Sequence, residues 1–225
     1  MPDDSLSLPA RLYLLSWDTE KLRVTGATDL HHLVRAGALT ELAQRGLLAD
    51  VEGIATPVDP DASTGDLVLD GLLELVEESR PRKWKAWVTL RARVTLDAVR
   101  AQLVAEGYLR AEKKRVLGLF PSVEYELARA SAVDGLRAEA RQVLVGPVPV
   151  ADVSDRDAAL VALAAAAELR TLLPGKDRKL YKDRIEELTE RSGAAAPALK
   201  KVIQEVRTAV MVAVTAGVAT GAAGG

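Results

Sequence analysis

Asp66 and Asp70 lie four residues apart, hence on one helical face, a spacing that could hold a divalent cation or serve as an acid/base pair. The same residues read more simply as helix-start acids. Ser63 and Asp66 have capping-box spacing ahead of the apolar set Leu67, Leu69, Leu72, Leu73, Leu75 and Val76, and both acids suit the positive end of a helix dipole. His31 and His32 are the only histidines, and as helix neighbours they point about 100° apart, poor geometry for sharing one metal. Pro174-Gly175-Lys176 lacks the Gly-rich loop and the Ser or Thr of a phosphate-binding turn, and GxSxG, HExxH and GxGxxG are absent. With no cysteine, thiolate sites and thiol nucleophiles are excluded as well. No catalytic residue, metal or cofactor is expected, and the chain is not read as an enzyme.

Charge placement carries more information. Nine acidic and no basic residues lie between Asp50 and Glu78, whereas six basic and no acidic residues lie between Arg80 and Arg93. The basic stretch, RPRKWKAWVTLRAR, places Trp84 and Trp87 on one helical face with Lys83 and Lys85 beside them. Cations beside indoles suit a membrane interface or a nucleic-acid backbone. Two core tryptophans under a solvated basic face explain the same letters equally well. Further on, Val116-Leu117-Gly118-Leu119-Phe120 forms the tip of an expected hairpin, with Lys113, Lys114 and Arg115 at its base. Loop tips are normally polar. An apolar tip over a basic collar favours shallow insertion into an anionic bilayer, at about 25 cal/mol per Å² of apolar surface buried. A contact between two copies of the chain explains it almost as well.

The elements that must position these residues are mostly helical. Apolar spacing of three and four marks Leu8 to Leu15 and the run Leu30, Leu33, Val34, Leu39, Leu42, Ala43, with Gly46 as its C-cap. LLADVEGIATPVD then reads as a strand or hairpin. The order repeats: TLDAVRAQLVAEG is a helix ending at Gly107, and YLRAEKKRVLGLFPSVEYELA reads as two strands around a turn. Helices over Asp134 to Val145, Asp155 to Leu173, Lys176 to Arg191 and Ala198 to Ala216 follow, broken at Gly146-Pro147-Val148-Pro149 and Pro174-Gly175. The expected class is mainly α, a single globular helical domain over 1–220 with short β-hairpins, closed by a Gly/Ala tail over 221–225.

Composition sets the outer limits. The 225 residues are 48% hydrophobic, enough for a substantial core, and the formal charge of -2 leaves only local attraction to an anionic partner. Met1 to Ala10 is acidic and polar, unlike a secretory signal, so a cytoplasmic protein is expected. The uncharged stretch from Thr208 onward is too short and too rich in Ala, Gly and Thr for a span of about 20 strongly apolar residues, and reads as a buried helix that frays.

Three segments together resemble the Golgi phosphoprotein 3 family. Asp61-Ala62-Ser63-Thr64-Gly65-Asp66-Leu67-Val68-Leu69-Asp70 is close to that family's D-x-x-T-G-D-x-x-L-D segment. Leu33-Val34-Arg35 through Glu41-Leu42-Ala43-Gln44-Arg45-Gly46 is similar to the helix before it, and Leu103-Val104-Ala105-Glu106-Gly107-Tyr108-Leu109 to the helix before its hairpin. The likeness covers nearly the whole chain and points to the shorter bacterial members, so a bacterial source is expected, which leaves no Golgi role. The resemblance implies a non-enzymatic, largely helical domain around a buried hydrophobic C-terminal helix, here Val206 to Ala219. It also implies peripheral attachment at the cytoplasmic face of a membrane, phosphatidylinositol 4-phosphate recognition in a shallow basic pocket, an inserted apolar hairpin and membrane-protein clients. Carried over by position, Arg35 and Arg93 match pocket arginines, whereas the other arginine falls on Leu96 and the pocket tryptophan on Gly26. Arg91 and Lys85 are the nearby cations that could offset the loss, and Leu117, Leu119 and Phe120 keep the hairpin's apolar character.

The leading reading is therefore an adaptor docking on anionic lipid, with phosphatidylinositol phosphates as the sharper expectation and a homo-oligomer compatible with it. One rival is a winged-helix-like DNA-binding regulator, since helix, Gly and hairpin occur twice. Its would-be recognition helix TELAQRG carries one Arg and one Glu, which argues against nucleic acid. The other rival is a protein-only dimeric scaffold.

Overall fold

A computed structural model describes residues 6–25, 30–59, 61–116, 120–175, 177–193, 208 and 211–212. In chain order the helices are α1 (Leu8–Leu15), α2 (Leu30–Gln44), α3 (Leu67–Glu77), α4 (Trp84–Thr89), α5 (Ala92–Ala105), α6 (Ala130–Val145), α7 (Asp155–Ala166) and α8 (Lys182–Arg191). Three antiparallel pairs accompany them: β1 (Trp17–Asp18) with β2 (Arg23–Val24), β3 (Leu48–Val51) with β4 (Ile54–Pro57), and β5 (Leu109–Val116) with β6 (Phe120–Leu127). The protein is mainly α with small hairpins, as its periodicity predicts.

α2 is the hub, packed by α1, α3, α4, α5 and α7. A helix hydrophobic all round belongs in a core, and every residue of α1, all of α2 except His31, His32 and Gln44, and Ala158 to Ala166 of α7 are buried. α1 and α2 cross closely at Gly37, where an added Cβ would lie 2.6 Å from Leu12 Cδ1 and 3.2 Å from the Pro9 Cα. α1 lacks a side-chain cap of its own. Glu41 of α2 supplies one across the interface, its carboxylate accepting from Leu8 N at 2.5 Å and from Arg45 at 2.5 Å.

The repeated unit is present. α2 and α5 each end in a left-handed glycine, Gly46 (φ 73°) and Gly107 (φ 76°), and each runs into a hairpin. In both, a paired C-cap closes the helix: Leu47 N donates to Leu42 O and Gly46 N to Ala43 O, and Tyr108 N donates to Leu103 O and Gly107 N to Val104 O. β5 and β6 pair from Leu109 opposite Leu127 to Val116 opposite Phe120.

Some boundaries move. Ser63 does not cap α3; Asp66 does, accepting from Val68 N at 2.9 Å and Leu69 N at 3.0 Å. A turn at Gly65 (φ 76°) intervenes, and Ser63 and Thr64 instead donate to Asp70. α7 stops at Ala166 rather than Leu173, because Glu168 adopts φ 54° and closes the same paired C-cap, Leu169 N to Ala164 O and Glu168 N to Ala165 O. α6 starts at Ala130, earlier than Asp134, and α8 at Lys182, later than Lys176. The C-terminal helix and the Gly/Ala tail fall outside the described residues, except Thr208, Met211 and Val212, which are helical and exposed.

Candidate functional site

The basic stretch folds into a corner. α4 is six residues long, and Trp84 and Trp87 both turn into the core, with Trp84 Nε1 donating to Asp50 Oδ1 at 3.0 Å. Of the two readings of the tryptophans, the core one holds. Lys83 and Lys85 remain exposed. The chain turns at Leu90 and Arg91, and Arg91 takes a left-handed backbone, φ 52° and ψ 27°, before α5 begins at Ala92. For a residue with a Cβ that conformation costs roughly 1–2 kcal/mol. Arg91 and Arg93 are exposed. Among the described residues, Arg80, Arg82, Lys83, Lys85, Arg91 and Arg93 make no ion pair.

Arg35 lies beneath this corner with 0% exposure, on the part of α2 that packs against α4 and α5. Its Nη2 donates to the Arg91 carbonyl at 2.9 Å, while Nε and Nη1 have no partner among the described residues. Burial without a counter-ion pushes its pKa down to about 10, so the buried guanidinium still carries charge at neutral pH. One turn earlier, His32 Nδ1 sits 3.2 Å from Val88 O at the end of α4. The structure thus brings Arg35 together with the backbone of Arg91, and places Arg93 on the first turn of α5. Leu96, at the position of the family's second arginine, is 7% exposed and in the core, and Gly26 lies outside the described residues.

The second candidate element is the β5–β6 hairpin. Leu117 and Leu119 lie outside the described residues; Phe120 opens β6 opposite Val116, but its side chain and that of Arg115 are not described. Of the collar, Lys113 is exposed, and Lys114 pairs with Glu112 at 3.6 Å and with Glu124. Around the base of the hairpin two arginines make three cation–ring contacts. The Arg100 guanidinium on α5 lies 5.1 Å from the Tyr125 ring and 5.7 Å from the Tyr13 ring, and Arg129 lies 4.8 Å from Tyr108.

The remaining candidates have structural duties. Asp70 accepts from Thr64 N and Oγ1, both at 2.6 Å, and from Ser63 Oγ at 3.0 Å, locking the loop before α3. Desolvation raises its pKa, but the hydrogen bonds from Thr64 and Ser63 together outweigh it and hold the carboxyl below its ordinary value. Asp66 caps α3 and also accepts from Gln102 at 3.1 Å. The His31 and His32 rings approach to 4.0 Å, closer than their helical directions predict. Among the described residues no cluster of three or more His, Cys, Asp or Glu could hold a metal. α2, the would-be DNA-recognition helix, is buried along nearly its whole length and cannot enter a groove.

Of two features of the corner, one escapes a reading of the letters. Arg91 occupies a left-handed position that normally announces itself by Gly or Asn. The burial of Arg35 did have a signal: it interrupts an otherwise apolar helix, Leu33, Val34, Ala36, Gly37, Ala38 and Leu39, so no face of α2 is left for solvent there. Among the described residues no helix is long and apolar enough to cross a membrane. A search of curated proteins finds no match to the chain. A family model described as Golgi phosphoprotein 3 (GPP34) matches residues 8–206, a span that takes in α1 to α8, the buried Arg35 and the hairpin. By that match, over most of its length, this chain belongs to the Golgi phosphoprotein 3 family.

Proposed function

We propose that the protein is a non-enzymatic adaptor that docks at the cytoplasmic face of a membrane, its α4–α5 corner meeting anionic lipid headgroups. Lys85, Arg91 and Arg93 make the contact, with the Arg35 charge beneath them, and Leu117, Leu119 and Phe120 of the hairpin enter the interface. Phosphatidylinositol phosphates are the headgroups the family points to, and membrane-protein tails the clients. The observation that carries this reading is the run of exposed cations from Arg80 to Arg93 with no carboxylate partner among the described residues. Several cations elsewhere are neutralised locally, as at Arg45–Glu41 and Arg137–Asp134. Unpaired cations keep their full attraction for an anionic leaflet, about 1 kcal/mol each near the surface.

Sedimentation with neutral, anionic and phosphoinositide-containing vesicles at low and high salt tests it. Salt-sensitive binding to anionic vesicles is expected, and changing Leu117, Leu119 and Phe120 together to Asp should abolish it while circular dichroism stays unchanged. Unaltered binding by that variant removes the hairpin from the contact. No binding by the parent protein, with light scattering reporting a dimer, would favour a protein-only scaffold.

A further inference from the structure

The corner that presents Arg91 and Arg93 is pinned from below. The Arg91 carbonyl is the first acceptor of α5, taking a hydrogen bond from Val94 N at 2.9 Å, and Arg35 Nη2 fills its second acceptor site at 2.9 Å. His32, on the same side of α2, meets Val88 O just before the turn. A left-handed arginine persists only when its surroundings over-determine it, and the buried Arg35 is the side chain placed to do so.

We infer that Arg35 is a positioning residue: it clamps the left-handed Arg91 backbone and thereby sets the direction in which the Arg91 and Arg93 side chains meet an anion, without touching the anion itself. This rests on the reading of the corner as a lipid-binding face. Three observations carry it. Arg35 has no exposed surface to offer a headgroup, its one hydrogen bond among the described residues is to the Arg91 backbone, and its burial is a poor investment in stability. A buried guanidinium whose Nε and Nη1, three N–H bonds between them, find no partner and no carboxylate among the described residues is a group that apolar replacement usually leaves neutral or improves. Its presence is better explained by what it holds than by the core it occupies.

A double-mutant cycle separates positioning from contact. Arg35→Met keeps the bulk and removes the clamp; Arg91→Gly relieves the left-handed backbone and removes one cation. Positioning predicts that Arg35→Met melts at or above the parent temperature and binds anionic vesicles about tenfold more weakly per folded molecule. It also predicts an unchanged dependence of binding on salt and no further loss in the Arg91→Gly background. Direct contact predicts a shallower salt dependence, one charge fewer, and a full additive loss in that background, and either result overturns the inference. So does a fall in melting temperature with unchanged binding per folded molecule, which makes Arg35 a core residue only. If the parent protein binds no vesicle, the lipid reading fails by itself. The clamp is then read by hydrogen exchange at residues 90–94, where Arg35→Met must accelerate exchange and unchanged exchange refutes it.

Discussion

Changing Lys85, Arg91 and Arg93 together to Gln removes three cations that are exposed and unpaired among the described residues. Each contributes about 1 kcal/mol near an anionic surface, so the triple variant loses about 3 kcal/mol of vesicle binding. At 1.4 kcal/mol per tenfold, the partition coefficient falls roughly 100-fold. The loss shrinks at high salt, where the Debye length drops from about 10 Å at 0.1 M to about 3 Å at 1 M. Because no ion pair is broken, the melting temperature stays within about 2 °C of the parent's. The control changes Lys179 and Lys182 to Gln, near or on α8, which packs chiefly on α7. It lowers the net charge by two, yet should cost well under tenfold if place rather than total charge governs docking. Sedimentation against vesicles with about one-third anionic lipid reads all three proteins at once. An equal loss in control and triple variant, or no loss in either, would sink the assignment of the corner.

The remaining predictions concern the scaffold. Glu41→Ala deprives Leu8 N, Arg45 and Arg156 (3.8 Å) of a carboxylate that is 3% exposed, so stability should fall by about 3–5 kcal/mol and the melting temperature by roughly 10 °C. Glu41→Gln should cost less, and a shift under about 2 °C in the alanine variant would show that α1 does not depend on this cap. Asp70 has its folded pKa held below the unfolded value, so its contribution is present above about pH 4 and disappears as pH falls through the folded value. Asp70→Asn should lower the melting temperature at pH 7 and flatten its decline between about pH 5 and 2. Parallel acid curves for the parent and variant would refute that role.

The mainly helical class, the repeated helix-and-hairpin unit and the glycine caps at 46 and 107 were all legible in the letters, because each rests on local rules of spacing and backbone freedom. The capping of α3 was read one feature too early: Ser63 and Asp66 have the right spacing, but only the geometry of the turn at Gly65 decides which of them reaches the amides. The left-handed Glu168 that ends α7 and the left-handed Arg91 that opens α5 left no trace, since neither residue type announces that conformation. The site was half legible. Charge segregation marked the cations from Arg80 to Arg93, whereas how they are held depends on packing: the left-handed turn at Arg91 and the Arg35 contact beneath it exist only in the fold.

α5 joins the two halves of the proposed docking surface, with Arg93 on its first turn and Arg100, stacked on Tyr125, two turns later. A helix of 14 residues measures about 21 Å and turns about 100° at each residue. One residue gained or lost between Arg93 and Arg100 would therefore swing the hairpin a quarter of the way round the helix relative to the cationic corner. The two contacts could no longer reach one plane. The length of this interval is thus a unit of inheritance in its own right: lineages keeping the docking surface should vary freely in the loops around α5 but admit no insertion or deletion within it.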